Sequence, residues 1–142
     1  MFIDIIMPFK NEEKYIKKAI NSLLYSKIIG QIILVDDHST DRSWDICTEL
    51  MYENLDKIIL IKNLGIGKVS AINTGFKNVK NSFLWMVDAD DYIKVKPDFN
   101  LDYLNENKIL DIDIFFIDDT QRKKLMIKKR LDINHYDNYI SD

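Results

Sequence analysis

The chain has 142 residues, 46% hydrophobic and 30% charged, with four glycines and two prolines; this suffices for one ordinary core and excludes collagen-like, disordered and linker-rich chains. A net charge of -3 gives no general electrostatic reason to bind nucleic acid, and the single cysteine, Cys47, excludes an internal disulfide and fits a reducing compartment. No apolar run reaches the roughly 18 residues of a membrane span, and the start, MFIDIIMPFK, lacks the basic and long apolar regions of a secretory signal, so a soluble, cytoplasmic domain is expected.

Phe2 to Met7 is a nearly continuous apolar run with β-branched residues, closed by Pro8, and reads as a buried strand. Asn11 then caps an expected helix with Glu12 and Glu13 in its first turn and Ile16, Ala19, Ile20, Leu23 and Leu24 along one face. Gln31 to Val35 is a second strand, followed by the polar stretch Asp36 to Thr40 and a helix with Trp44, Cys47, Leu50 and Met51 on one face. Lys57 to Ile61 is a third strand. The turn Asn63 to Gly67 leads into a helix whose expected core face is Val69, Ile72, Phe76 and Val79. Phe83 to Val87 is a fourth strand, stopping at Asp88, Asp90 and Asp91. Beyond Pro97 the pattern weakens: a short helix over 98–107, a strand over 109–117 and a basic stretch over 122–130 are expected. The order βαβαβαβ implies right-handed crossovers and an α/β fold, an open, mostly parallel sheet with flanking helices. Residues 1–95 form its core and 96–142 a partial C-terminal extension of the same domain.

Ligands of open parallel sheets bind at the carboxyl ends of the strands, and the polar motifs here fall at four such ends. Three carboxylates within Asp88 to Asp91 repel one another; a hard cation such as Mg²⁺ or Mn²⁺ would relieve that repulsion, whereas the plainer reading is a solvated turn. Asp36 and Asp37 can accept hydrogen bonds from a base and ribose, or cap the next helix; Ser39 and Thr40 can do that capping alone, which leaves the aspartates for a ligand. Asn63, Gly65, Gly67 and Lys68 bring backbone N–H groups and an ammonium to a helix start, as an anion requires, without the spacing of a Walker loop. His38 reads as a polar turn residue.

In order along residues 1 to 95, these segments resemble the nucleotide-sugar-binding half of the inverting glycosyltransferases of family two, which have the GT-A fold. The P-x-x-N-E stretch is matched by Pro8, Phe9, Lys10, Asn11 and Glu12; the V-D-D-x-S-x-D motif by Val35, Asp36, Asp37, Ser39 and Asp41. The N-x-G-x-x-x-A-x-N-x-G pattern is partly met by Asn63, Gly65, Ala71, Asn73 and Gly75, and D-x-D-D by Asp88, Asp90 and Asp91 around Ala89. The resemblance implies that Pro8 to Glu12 and Asp36 or Asp37 hold the base and ribose, with Lys68 near the ribose or diphosphate. Asp88 would face the nucleotide, and Asp90, with Asp88, would hold Mn²⁺ or Mg²⁺. It further implies inverting transfer from a nucleotide-diphospho-sugar, UDP-linked by expectation, to a glycan or lipid-linked acceptor. Ile72 stands where members often carry arginine, and the family's acidic general-base motif has no counterpart among Asp118, Asp119 and Asp137, so no catalytic base is assigned.

Two alternatives remain. One is a donor-binding module that lacks the general base; the other is a nucleotidyltransferase, which would need a glycine-rich phosphate loop after the first strand that Pro8 to Glu12 does not provide. The basic residues of 122–130 could touch anionic lipid headgroups at the inner face of a membrane, although a solvated charged face or strand pair is the favoured reading. A second copy of the chain stays open as a partner.

Overall fold

In the computed structural model, which describes residues 2–81, 83–93, 114–117 and 123–127, the four apolar runs of the first hundred residues form one parallel sheet. Its elements in chain order are β1 (Ile3–Phe9), α1 (Ile16–Leu24), β2 (Ile29–Asp36), α2 (Ser43–Glu53), β3 (Ile58–Lys62), α3 (Lys68–Phe76) and β4 (Phe83–Met86). The spatial order β3-β2-β1-β4 places every crossover helix between parallel neighbours or across the sheet. Two steps in one direction put α1 and α2 on one face, and the return from β3 to β4 carries α3 over the other. The chain divides into two compact units, 1–99 and 100–142. In the second, β5 (Ile114–Ile117) pairs antiparallel with β6 (Lys123–Ile127), so part of the basic stretch is one strand of a pair. The helix expected over 98–107 lies outside the described residues, as do 109–113 of the expected strand and 122 and 128–130 of the basic stretch.

Every residue of β1 is buried, because helices cover both faces of this central strand. On the α3 side, Ile6, Ile33, Val35 and Ala71 form a buried cluster flanked by Ile59, Ile61, Ile72, Val79 and Leu84. The expected core face of α3 is therefore wrong in part: Val69 and Phe76 are 74% and 60% exposed, while Ala71, Thr74 and Gly75 are buried. Gly75 explains the rotation. A Cβ there would stand 3.0 Å from Ile6 Cγ2 and Val35 Cγ2, so the small residues let the helix lie close on the sheet. On α1 the expected face holds, with Ile16, Ala19, Ile20 and Leu23 buried.

Pro8, expected to close the first strand, lies inside it and pairs with Val35. What it closes is the opposite ladder. Residues of a parallel strand bond alternately to either neighbour, and the last bond from β4 is Val87 N–H to Ile6 O at 3.0 Å. The next donor on that side would be residue 8, and proline has none. β4 is thus released from β1 where its acidic turn begins.

At the amino ends of the strands sits a residue that the apolar reading of β1 passed over. Asp4 is fully buried and accepts from Gln31 Nε2 (2.9 Å), Lys80 N (2.7 Å), Asn81 N (2.9 Å) and the Asn81 amide. Burial alone would raise its pKa; the bonds from Asn81, Lys80 and Gln31 outweigh that and lower it.

Candidate functional site

The strand order reverses between β1 and β4, and a crevice opens there at the carboxyl ends. It is a cavity of about 250 Å³ lined by Pro8, Phe9, Lys10 and Glu12 from the end of β1, Asp37 from β2, Lys68 from α3, and Asp88, Ala89 and Asp90 after β4. Seven of the expected binding residues, Pro8, Phe9, Glu12, Asp37, Lys68, Asp88 and Ala89, line this one cleft, together with Asp90. Lys10 joins them. It belongs to the same P-x-x-N-E stretch, and its neighbours in that motif were the available signal.

Asn11, Asp36, Ser39, Asn63 and Gly65 stand behind the cleft as its framework. Asn11 does not cap α1, whose first residue follows Tyr15; instead it adopts φ 56° and cross-links two loops. Its Oδ1 accepts from Thr40 N (2.7 Å) and Asp41 N (3.3 Å), and its N–H donates to Ser39 Oγ (3.0 Å). Glu12 N donates to Ser43 Oγ (2.7 Å) and Glu13 N to Asp41 Oδ2 (3.0 Å), completing the staple. The first turn of α2 is served by Asp41, which accepts from Ser43 N at 2.9 Å, so Ser39 and Thr40 do not cap it.

Nor are Asp36 and Asp37 left free. Asp36 is 1% exposed and accepts from Ser39 N (3.0 Å). Asp37 accepts from Asn63 Nδ2 (2.7 Å) and, with both oxygens, from Gly67 N (2.9 and 3.0 Å). The Asn63 bond above all, with that of Gly67, holds the Asp37 carboxyl below its ordinary range. Asn63 Oδ1 in turn accepts from Gly65 N, Ser70 Oγ and Thr74 Oγ1 at 3.1, 2.9 and 3.2 Å. His38, at φ 61°, donates from Nε2 to Gly65 O at 2.8 Å. Two non-glycine residues in the left-handed region cost on the order of 1 kcal/mol each, and each is held by the loop-to-loop bonds it makes. Asn73 is exposed on α3 and does not line the cleft.

The cleft's charges are unevenly met. Lys68 Nζ bonds to Asp88 Oδ1, with both side chains more than half exposed. Burial, then the charges of Asp90, Asp41 and Asp88, raises the Glu12 pKa; burial, then Asp90 and Asp88, raises that of Asp91, against the pull of Lys68. Carboxylates thus outnumber the two ammonium groups, Lys10 and Lys68, along this cleft. Among the described residues no group of three His, Cys, Asp or Glu side chains is gathered as a metal cage. Asp88 and Asp90 offer carboxylate oxygens, the donor type that a hard cation takes, and one oxygen of Asp88 is engaged by Lys68.

Comparison with known proteins bears on this arrangement. The family model described as Glycosyl transferase family 2 matches residues 4–98. Glycosyltransferase GlyA of Streptococcus pneumoniae serotype 4 is 35% identical over 96 residues, 65% of this chain and 13% of that protein. S. aureus TarS 1-349, solved in complex with UDP-GlcNAc, is 32% identical with a TM-score of 0.55 over 66% of this chain and 28% of that one. A mannosyltransferase, PcManGT from Pyrobaculum calidifontis, solved with GDP-Man and Mn²⁺, shares the fold at 22% identity and a TM-score of 0.57, over 62% of this chain and 27% of that one. The chain thus spans less than a third of each of these proteins. Among its described residues no helix is long and apolar enough to cross a membrane.

Proposed function

Because the chain belongs to glycosyl transferase family 2 and carries the parallel sheet of GT-A glycosyltransferases, we propose that its cleft holds the diphosphate of a nucleotide-sugar donor, UDP-linked, for transfer to a glycan or lipid-linked acceptor. The observation that carries this reading is the meeting of Lys68 with the Asp88–Asp91 turn at the β1/β4 switch point.

Each residue's part follows from its place. Pro8 and Phe9 give the cleft an apolar wall beside Asp37 and Glu12, whose carboxylates would accept from a base N–H and ribose hydroxyls. Asp37 keeps accepting capacity on its carboxylate while anchoring Gly67. Lys68 and Lys10 supply positive charge for a diphosphate, and an incoming diphosphate competes with Asp88 for the Lys68 ammonium. Asp90 and Asp88 would hold Mn²⁺ or Mg²⁺, which when bound neutralises charge on the diphosphate leaving group. Displacement at the anomeric carbon would invert it, with a carboxylate base accepting the acceptor's hydroxyl proton; no residue here is assigned that part.

Calorimetric titration of UDP and GDP, with and without Mn²⁺, tests the reading. UDP binding should depend on metal and weaken at least about tenfold, or ~1.4 kcal/mol, in Asp90→Asn. Equal binding by that variant overturns the part given to Asp90; no binding of either nucleotide overturns the donor site. The small share of GlyA that the chain matches supports a second reading, a donor-binding portion that turns over only with further chain. UDP-sugar hydrolysis or transfer by the chain alone excludes it.

A further inference from the structure

A second and larger concavity, about 560 Å³, lies on the outer face of α1 beside the segment that follows the acidic turn. Its composition is the reverse of the donor cleft's. Lys14, Lys17 and Lys18 line it with Tyr25 and Tyr92, and no carboxylate does so among the described residues. Lys17, Lys18 and Asn21 share one face of α1, with Lys14 in the turn before it and Tyr25 at its C-cap, opposite the buried stripe of Ile16, Ala19, Ile20 and Leu23.

Two observations make this more than a charged helix face. Lys18 Nζ lies 5.1 Å from the Tyr92 ring centroid, and Ser22 Oγ accepts from Ile93 N at 3.1 Å, so the 91–93 segment forms the groove's second wall. The two cavities also adjoin along both chain segments: Glu12 lines the cleft and Lys14 the groove, Asp90 the cleft and Tyr92 the groove. The groove's lysine end at Lys14 therefore lies two residues along the chain from the cleft's Glu12, and its Tyr92 two residues from Asp90.

We propose that this groove is a subsite for a phosphate ester of a polyol or sugar, the lysines taking the phosphate and the tyrosine rings the apolar face of the carbohydrate. The ligand's role as the acceptor, or the carrier next to it, rests on the glycosyltransferase reading; the anion site itself does not. Ammonium groups on flexible stems suit phosphate as point charges.

The test uses the full chain and two probes, glycerol 3-phosphate in solution and vesicles of phosphatidylcholine with about one-third phosphatidylglycerol. Glycerol 3-phosphate should shift the amide resonances of residues 14–22 and 92 beyond an equal ionic strength of chloride. The double variant K17Q/K18Q should weaken binding at least about fivefold, with UDP affinity unchanged. Binding to vesicles alone, lost in the same variant, supports the site with a lipid headgroup as the source of the phosphate. Failure of both probes, or equal binding by the double variant, overturns the proposal. Loss of UDP binding with the phosphate response intact would instead count against the donor cleft.

Discussion

Asp4 at the amino ends of the strands and the pair Glu12 and Asp91 beyond the carboxyl ends meet opposite surroundings, although Asp37 at the carboxyl ends is satisfied as Asp4 is. At the amino ends of the strands, Asp4 is wholly buried yet satisfied, its oxygens taking bonds from β2 and from the residues leading into β4. At the carboxyl ends, Glu12 and Asp91 carry raised pKa values because burial and neighbouring aspartates both disfavour their charge. One carboxylate holds strands together; the others wait on a countercharge. The difference teaches that an acidic residue's environment, and not its type, decides whether its charge is stabilised or disfavoured.

The strongest way to break this contrast is the substitution Asp4→Asn. An amide offers two donors where the site needs an acceptor for four, so the change should cost about 3 kcal/mol by urea unfolding, a large share of a small domain's stability. A loss below about 1 kcal/mol would mean that the network at the amino edge contributes little.

A pH series sharpens the comparison. Asp4 has a depressed pKa in the fold, so its contribution is present above the ordinary value of 3.8 and lost as pH falls through the folded value. The gap between the wild-type chain and Asp4→Asn should therefore shrink on acidification, by up to about 1.4 kcal/mol for each pH unit crossed between the ordinary and the folded value. Glu12 and Asp91 run the other way: with raised values they cost stability when ionised, and the fold gains as pH falls through those values. A pH-independent gap would remove Asp4 from the account.

The smallest effect is the most pointed. Asp91→Asn, the same chemical change as at residue 4, should stabilise the free chain near neutral pH by a few tenths of a kcal/mol, since it removes one of the mutually repelling charges on a partly exposed turn. Thermal or urea unfolding without added divalent cation reads it, and destabilisation instead would show that Asp91 is held by interactions like those of Asp4.

Much of the architecture is legible in the sequence because it rests on local pattern. Buried runs of isoleucine and leucine bounded by polar turns announce parallel strands, and the face of α1 follows from the spacing of Ile16, Ala19, Ile20 and Leu23. A rule that seeks large apolar residues misreads the face of α3, since it cannot see that Gly75 is valuable for the side chain it lacks. Asn11 has the residue type and position of a helix cap; only the proximity of the β2–α2 loop turns it into a cross-link at positive φ. Asp4 is hidden inside an apolar run. Its signal, Gln31 and Asn81 at the amino ends of two other strands, becomes readable only once those strands are known to be neighbours.

By itself the sequence determined the alternation of strands and helices, the placing of polar motifs at four strand ends, and the resemblance those ordered motifs carry. These are properties of residue spacing, which needs no partner to be seen. The tertiary structure alone decided which motif residues face the cleft and which brace it. Asp36, Asp37 and Asn63 are indistinguishable from ligand-binding residues until their hydrogen-bond partners, 2 to 30 residues away in sequence, are brought within reach. It also set the acidic cleft and the lysine groove side by side, since both are built where separate stretches of chain, around residues 12–14 and 90–92, converge.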